Sequence, residues 1–244
     1  MRIAVISDIH SNLPALEAVL ERIGALDPPP DLLWCLGDVV GYGASPDACA
    51  ALTAEHTDLC LAGNHDLVVR GDIDLDYFAR SAGVAARWTA AEIDSSTRAF
   101  LEPLQPLGRA EGIGLYHASP RDPVWEYVLS IEQARAGFDA QPDRICLIGH
   151  SHVACHFVRR GSRVEGDLAP PGSVLELRDG EWMVNPGSVG QPRDGDSRAS
   201  WLLLDTNAWT ATFGRVEYRI DEAAEAIVAA GLPAELAQRL YVGQ

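Results

Sequence analysis

The sequence predicts an α/β protein whose strands run parallel in the first half of the chain and antiparallel in the second. Two observations carry this. Apolar runs alternate with helical patterns through the first third, and a β-α-β-α-β order calls for a parallel sheet with right-handed crossovers. Beyond Ala154 the texture changes. "CHFVRR", "SVLELRDGEWMVN" and "RASWLLLDTNAWTATFGRVEYRI" alternate polar with apolar and hold turn signals such as "RDG" and "DTN", which read as antiparallel strands and hairpins.

The elements follow in order. Ile3 to Ile6 reads as a buried strand ending at "SDIH". Leu13, Leu16, Leu20 and Ile23 then fall on one helical face, with Ser11 or Asn12 as cap, and "DPPPD" ends that helix. Leu32 to Leu36 is the second strand. "SPDACAALTAE" is a short helix with Ser45 as N-cap and Pro46 at its first position. "TDLCLAGNHD" reads as a third strand with a polar tip, and Asp76 to Leu104 reads as helical. "GIGLYHASP" is a strand then a loop, "SIEQARAGFDAQ" a helix, and "RICLIGHSH" a strand then a loop. Gly231 and Pro233 split the tail into two helical pieces. The whole, residues 1–244, reads as a single domain, with the tail from about 221 to 244 packing back on it.

Composition excludes several classes. All 19 basic residues are arginine, which removes a Walker-type phosphate loop and lysine Schiff-base chemistry. The net charge of −16 argues against a dedicated nucleic-acid partner. The opening apolar run is too short for a signal peptide or a membrane span, and no later run is long enough, so the chain reads as cytoplasmic with no membrane partner. Cys35, Cys49, Cys60, Cys146 and Cys155 form no CxxC pair and read as reduced core cysteines.

The informative positions are the strand tips. "SDIH", "GDVVGYG", "GNHD", "YHASP" and "GHSH" each follow an apolar run, and in an open α/β sheet ligands gather outside the carboxyl ends of strands. The tips bring Asp8, His10, Asp38, Asn64, His65, Asp66, His117, His150 and His152 to one edge. Asp8 and His10 are two apart, as are His150 and His152. In an extended chain each pair points to one side and can clasp one ion. Carboxylate with imidazole suits manganese, iron, zinc or nickel, and Asp38, with two oxygens, could bridge two ions. The glycines around Asp38 let backbone approach the ions or a phosphate closely. His56 and His156 have no such context and read as surface and sheet residues.

The ordered set Asp8-x-His10, Gly37-Asp38, Gly63-Asn64-His65-Asp66, His117 and Gly149-His150-x-His152 resembles the calcineurin-like metallophosphoesterases. "NPGSVGQPRDGD" looks like their bacterial small phosphodiesterase branch. The resemblance implies a four-layer α-β-β-α sandwich of two mixed β-sheets flanked by helices. It implies two divalent ions, manganese first, with Asp8, His10, Asp38 and His152 on one and Asp38, Asn64, His117 and His150 on the other. Asp38 bridges, a metal-held hydroxide attacks phosphorus, and His65, not a ligand, faces the substrate. Relatives that act on phosphoproteins carry an Asp-Arg pair after the metal aspartate. Here Val39-Val40-Gly41-Tyr42-Gly43 stands in its place, so phosphate must be gripped by metals, Asn12, Tyr42, backbone amides or an arginine, with Arg193 and Arg121 the candidates.

These residues favour hydrolysis of a small phosphodiester or phosphomonoester. A dinucleoside-polyphosphate or phosphoprotein phosphatase is an alternative, which the missing Asp-Arg pair disfavours. "GHSHV" and "PGSVG" each lack a glycine of the serine-hydrolase elbow. A non-catalytic scaffold of the same fold would have no chemical reason to keep every presumptive ligand. The apolar face of the tail helices offers a homo-oligomer contact.

Overall fold

The computed structural model describes residues 1–244, the side chain of Tyr77 excepted. β1 (Arg2–Ile6), α1 (Leu13–Gly24), β2 (Leu32–Cys35), α2 (Pro46–His56) and β3 (Leu59–Cys60) form the expected unit, with the three strands parallel. α1 begins where Asn12 Oδ1 accepts from the Ala15 amide. Ser45 precedes Pro46 at the start of α2 but makes no side-chain cap bond. β3 is shorter than its apolar run, because "GNHD" opens α3 (Asn64–Arg70). The helical stretch that follows is two helices, α4 (Arg80–Glu92) and α5 (Ser95–Leu101), divided where Asp94 caps α5 by accepting from the Thr97 amide.

β4 (Leu107–Ala110), β5 (Ile113–Tyr116), α6 (Ile131–Ala140) and β6 (Ile145–Leu147) start a second sheet. β7 (Ala154–Arg160), β8 (Arg163–Leu168), β9 (Val174–Glu176), β10 (Glu181–Pro186), β11 (Ala199–Asp205) and β12 (Thr210–Val216) are then shared between the two sheets. α7 (Ile220–Ala229) and α8 (Ala234–Val242) close the chain. The first sheet has the order β3-β2-β1-β11-β12-β9 and the second β4-β5-β6-β10-β7-β8. Both are mixed, since β1 lies parallel to β2 but antiparallel to β11, and β10 parallel to β6 but antiparallel to β7.

The hairpin expectation holds at "DTN", where Asp205 faces Thr210 across β11 and β12. It fails at "RDG". β9 pairs with β12 in the first sheet, whereas β10 lies between β6 and β7 in the second, so this turn carries the chain from one sheet to the other. Strand alternation separates the layers. Ile3, Val5, Trp34 and Leu36 meet Ile113, Leu115, Trp182 and Val184 in the seam between sheets. Ala4, Ile6, Leu33 and Cys35 face α1, α2 and α3 on the other side. Tyr116, Cys146 and Met183 face Phe138 of α6. Burying each large apolar side chain contributes roughly 1.5–3 kcal/mol, which makes this three-layered apolar packing the main force holding the sandwich. α7 and α8 pack back through Ala223, Ile227, Leu236 and Leu240 onto Ala85 and Trp88 of α4 and onto Tyr42.

All five cysteines are free. No helix among the described residues is long and apolar enough to cross a membrane.

Candidate metal centre and cleft

The tips do converge, but from both sheets. Asp8, His10 and Asp38 follow β1 and β2, Asn64 and His65 open α3 after β3, and His117, His150 and His152 follow β5 and β6 of the second sheet. The tips are not extended. Asp8, His10, Ser11, Asp38, Tyr42, His150 and His152 all have left-handed backbone, with φ between 50° and 62°. Such conformations cost non-glycine residues on the order of 1–3 kcal/mol each and persist only when the surroundings over-determine them. Here tip-to-tip hydrogen bonds do so. The amides of Asp8 and His10 donate to the carbonyls of Gly37 and Asp38 at 2.9 Å, and Gly149 donates to His117 at 2.7 Å.

Asp8, His10, Asp38 and His152 each offer a donor atom within 4.8 Å of the others, and Asp38, His117 and His150 do the same. Asn64 Oδ1 lies 3.3 Å from His117 Nε2 and can join the second group. The DxH pair serves one group, as expected, although neither residue is extended. The HxH pair does not: His152 falls in the first group and His150 in the second. Asp38 stands between the groups. Its Oδ1 accepts from the His65 amide at 2.8 Å, while Oδ2 lies 3.4 Å from His10 Nε2 and 3.5 Å from His117 Nε2.

The donor set suits cations. The Nδ1 atoms of His10, His117 and His152 face the carbonyls of Val40, Leu36 and Gln191 at 3.3, 2.9 and 2.6 Å. A carbonyl only accepts, so each Nδ1 carries the proton and each Nε2 presents a lone pair. Two such lone pairs, on His10 and His152, meet at 3.0 Å, where no hydrogen bond between them is possible. Two facing lone pairs this close would be drawn together by one shared cation, which His10 and His152 could hold. Asp8 Oδ1 and His150 Nε2 are buried without a hydrogen-bond partner. Burial pushes the Asp8 carboxyl up to about 7 and Asp38 well above the carboxylate range, with Asp66 adding to the rise at Asp38. Burial likewise pushes His10, His150 and His152 well down. These five groups are held towards their neutral forms, which is what buried ligands do when the charge that balances them is not a protein side chain.

His65 belongs to neither group. Its ring lies against Tyr42, Phe78 and His10, with centroids 4.3 to 4.9 Å away, and its Nδ1 has no hydrogen-bond partner. Asp66 does not orient it. That carboxylate instead accepts from the amides of Gly63, Val40 and Val39 at 2.8, 3.1 and 3.3 Å, tying α3 to the β2 loop. The glycines of that loop make room for neighbours rather than for ions: a Cβ on Gly41 would stand 2.4 Å from His65 Nδ1. Across from it, a Cβ on Gly63 would stand 1.9 Å from Asp38 Oδ1, so only glycine lets α3 reach Asp38.

A cleft of about 160 Å³ opens over the two groups, walled by Tyr42, His65, Phe78, Trp125, Tyr127 and Arg193. Among the candidate phosphate-gripping residues, Tyr42 and Arg193 line it. Asn12 does not: its Oδ1 caps α1 and its Nδ2 donates to the Gly190 carbonyl at 2.8 Å, so the side chain is committed to the fold. Arg121 is exposed and paired with Glu126. Sequence reasoning missed Phe78, Trp125 and Tyr127. Only their aromatic character in otherwise polar loops could have marked them.

A fold of two stacked mixed sheets, with paired Asp/His clusters at one end, defines a metal-dependent phosphoesterase architecture. Residues 1–208 match the calcineurin-like phosphoesterase superfamily domain, and the chain belongs to that family. It is 40% identical to an uncharacterized protein of Methanocaldococcus jannaschii over 249 aligned positions, covering 99% of this chain and 98% of that one. It is 38% identical to a metallophosphoesterase from Sphaerobacter thermophilus, with a TM-score of 0.91 over 100% of this chain and 99% of that one. A hypothetical protein from Pyrococcus horikoshii, 20% identical with a TM-score of 0.80 over 100% and 98% of the two chains, shares the fold. The family is metal-dependent, and membership makes this chain a phosphoric ester hydrolase.

Proposed function

We propose that the protein is a binuclear metal-dependent phosphoesterase acting on a small phosphorylated molecule, with a phosphodiester favoured. The observation that carries this reading is Asp38, whose Oδ2 faces donors of both groups at once. Asp8, His10, Asp38 and His152 would hold one ion, and Asp38, Asn64, His117 and His150 the other. Divalent ions bound there supply Lewis acidity towards phosphoryl oxygens and an activated water nucleophile. The chain's own residues do the rest. Carbonyls at Leu36, Val40 and Gln191 hold the Nδ1 protons, so three imidazoles keep their Nε2 lone pairs pointed inward. His65, uncommitted and facing the cleft, donates a hydrogen bond to the leaving ester oxygen.

A cleft of about 160 Å³ favours a small substrate over a phosphoprotein segment. The loop Val39–Gly43 supplies no Asp-Arg pair for the latter. In this reading the protein is cytoplasmic, uses manganese first with iron, zinc or nickel as substitutes, and has neither a membrane nor a nucleic-acid partner. The test is hydrolysis of bis(p-nitrophenyl) phosphate and p-nitrophenyl phosphate by protein stripped of metal and resupplied with each ion. Activity that depends on added metal, with the diester faster, is expected. Full activity in excess chelator would overturn the reading.

A further inference from the structure

Arg193 is set apart from the chain's other arginines by its company. Arg70, Arg109, Arg159 and Arg215 each meet a carboxylate. Arg193 instead donates to neutral oxygens, Gln191 Oε1 at 2.9 Å and Tyr42 Oη at 3.3 Å, and its buried Nε donates to nothing in the protein. The site carboxylates Asp8 and Asp38 act on it only through space, and a half-buried guanidinium with no carboxylate in contact is costly unless an anion completes it. Its position is fixed. Its guanidinium lies 5.6 Å from the centroid of the Tyr42 ring, and its own amide donates to the His152 carbonyl at 3.1 Å. The Gln191 carbonyl meets His152 Nδ1 at 2.6 Å, so one short segment locks both a metal-ligand candidate and this cation. A planar donor array of this kind matches phosphate oxygens.

Another part of the cleft wall is aromatic. Phe78 and Trp125 meet edge to face at 5.4 Å between centroids, and Tyr127 stacks on the His150 ring at 4.3 Å and 17°. Phe78 lies between α3 and α4 and the other two between β5 and α6, so two separate loops deliver rings to one mouth. Ring faces recognise planar substituents and contribute little toward an alkyl chain of the same charge.

We propose that the cleft takes a phosphodiester bearing a planar aromatic arm, with Arg193 gripping a non-bridging phosphate oxygen and Phe78, Trp125 and Tyr127 seating the arm. This rests on the phosphoesterase reading above. Tyr42, in the glycine loop where phosphoprotein phosphatases carry their own arginine, positions Arg193 instead. An aryl group and a nucleobase share the required chemistry.

Two measurements test it. The first is calorimetric binding of phenylphosphonate and methylphosphonate to the manganese-loaded protein. The phenyl compound binds about tenfold tighter, and Phe78→Ala and Trp125→Leu each remove most of that preference. Arg193→Gln weakens both ligands by about tenfold or more and leaves their ratio unchanged. The second is turnover of three p-nitrophenyl diesters whose other arm is methyl, phenyl or thymidine-5′-yl, which separates aryl from nucleobase recognition at one leaving group. A kcat/KM preference for either planar arm, reduced in Phe78→Ala or Trp125→Leu, supports the assignment. Equal rates for all three arms with equal phosphonate affinities overturn the assignment and leave the phosphoesterase reading standing. No metal-dependent turnover of any diester overturns both.

Discussion

Gly41→Ala tests the close approach of the glycine loop to His65. The added Cβ would stand 2.4 Å from His65 Nδ1 and 2.9 Å from its Cγ, whereas ordinary contact begins at 3.4 Å, so the ring must retreat by 1.0 Å. It cannot do so by a simple swing, because His65 opens α3 and its amide is tied to Asp38 Oδ1 at 2.8 Å. A misplacement of about 1 Å in a reacting group can cost about a hundredfold in rate, equivalent to about 2.7 kcal/mol. Gly41 also has φ +95°, so alanine adds backbone strain of about 1–3 kcal/mol. For a chain of this length, 2 kcal/mol lowers Tm by about 4–8 °C. The expected phenotype is turnover of a chromogenic phosphodiester down about a hundredfold, two metal equivalents retained by elemental analysis, and a modest loss of Tm. His65→Ala should match the rate loss with metal content intact. Unchanged turnover in Gly41→Ala, or a rate loss that tracks lost metal, would refute the assignment of His65 as a non-ligand working from the cleft wall.

Three further outcomes follow from the same geometry. Asp38→Asn should lower bound metal at both positions together, and one full equivalent retained by elemental analysis contradicts its shared placement. Asp66→Ala strands the amides of Gly63, Val39 and Val40, costing about 3 kcal/mol, or about 6–12 °C in Tm; calorimetric melting that shows no loss would rule out its role as the tie between α3 and the β2 loop. The pH dependence has a definite sign. In the metal-free protein Asp8 keeps its proton up to about 7 against an ordinary 3.8, so between these values the folded state holds a proton the unfolded chain has lost. Its contribution to metal-free stability therefore falls as pH rises through that window. Metal must displace the same proton, so affinity climbs with pH through that window, with proton release on binding within it. Titration calorimetry in buffers of different ionisation enthalpy reads that proton, and its absence near pH 6 would contradict the assignment (about one proton per Asp8).

The site was legible in the sequence because its chemistry is local. Each strand tip announces itself as an apolar run ending in Asp, Asn or His, and the order of the tips survives without any knowledge of the fold. What failed was whatever depends on partners far away in the chain. "RDG" has the composition of a hairpin turn, yet β9 and β10 find partners in different sheets, and turn chemistry cannot say which sheet a strand joins. β4 went unread because "LGRA" is a half-exposed edge strand that pairs only with β5. A strand's periodicity predicts one side for both His150 and His152, but none of these tips is extended, and the two rings serve different groups while Asp8 and His10, at the same spacing, share one. Asn12 is a polar residue next to a functional tip whose capping bond is visible only once α1 exists. Tyr42 and Arg193, 151 positions apart, meet only in the folded chain.

The division of donors between the two sheets has a consequence for how the molecule comes into being. Asp8, His10 and Asp38 emerge early in synthesis, but the first group is incomplete until His152 arrives, and the second needs His117 and His150. A nascent chain released before that point carries ligands but no centre. Once both groups are assembled, each spans the seam between the sheets, so an ion in either acts as a rivet across the apolar interface as well as a reagent. Removing metal should therefore loosen the two halves against each other, and the protein's readiness to react becomes a report on whether the sandwich has closed.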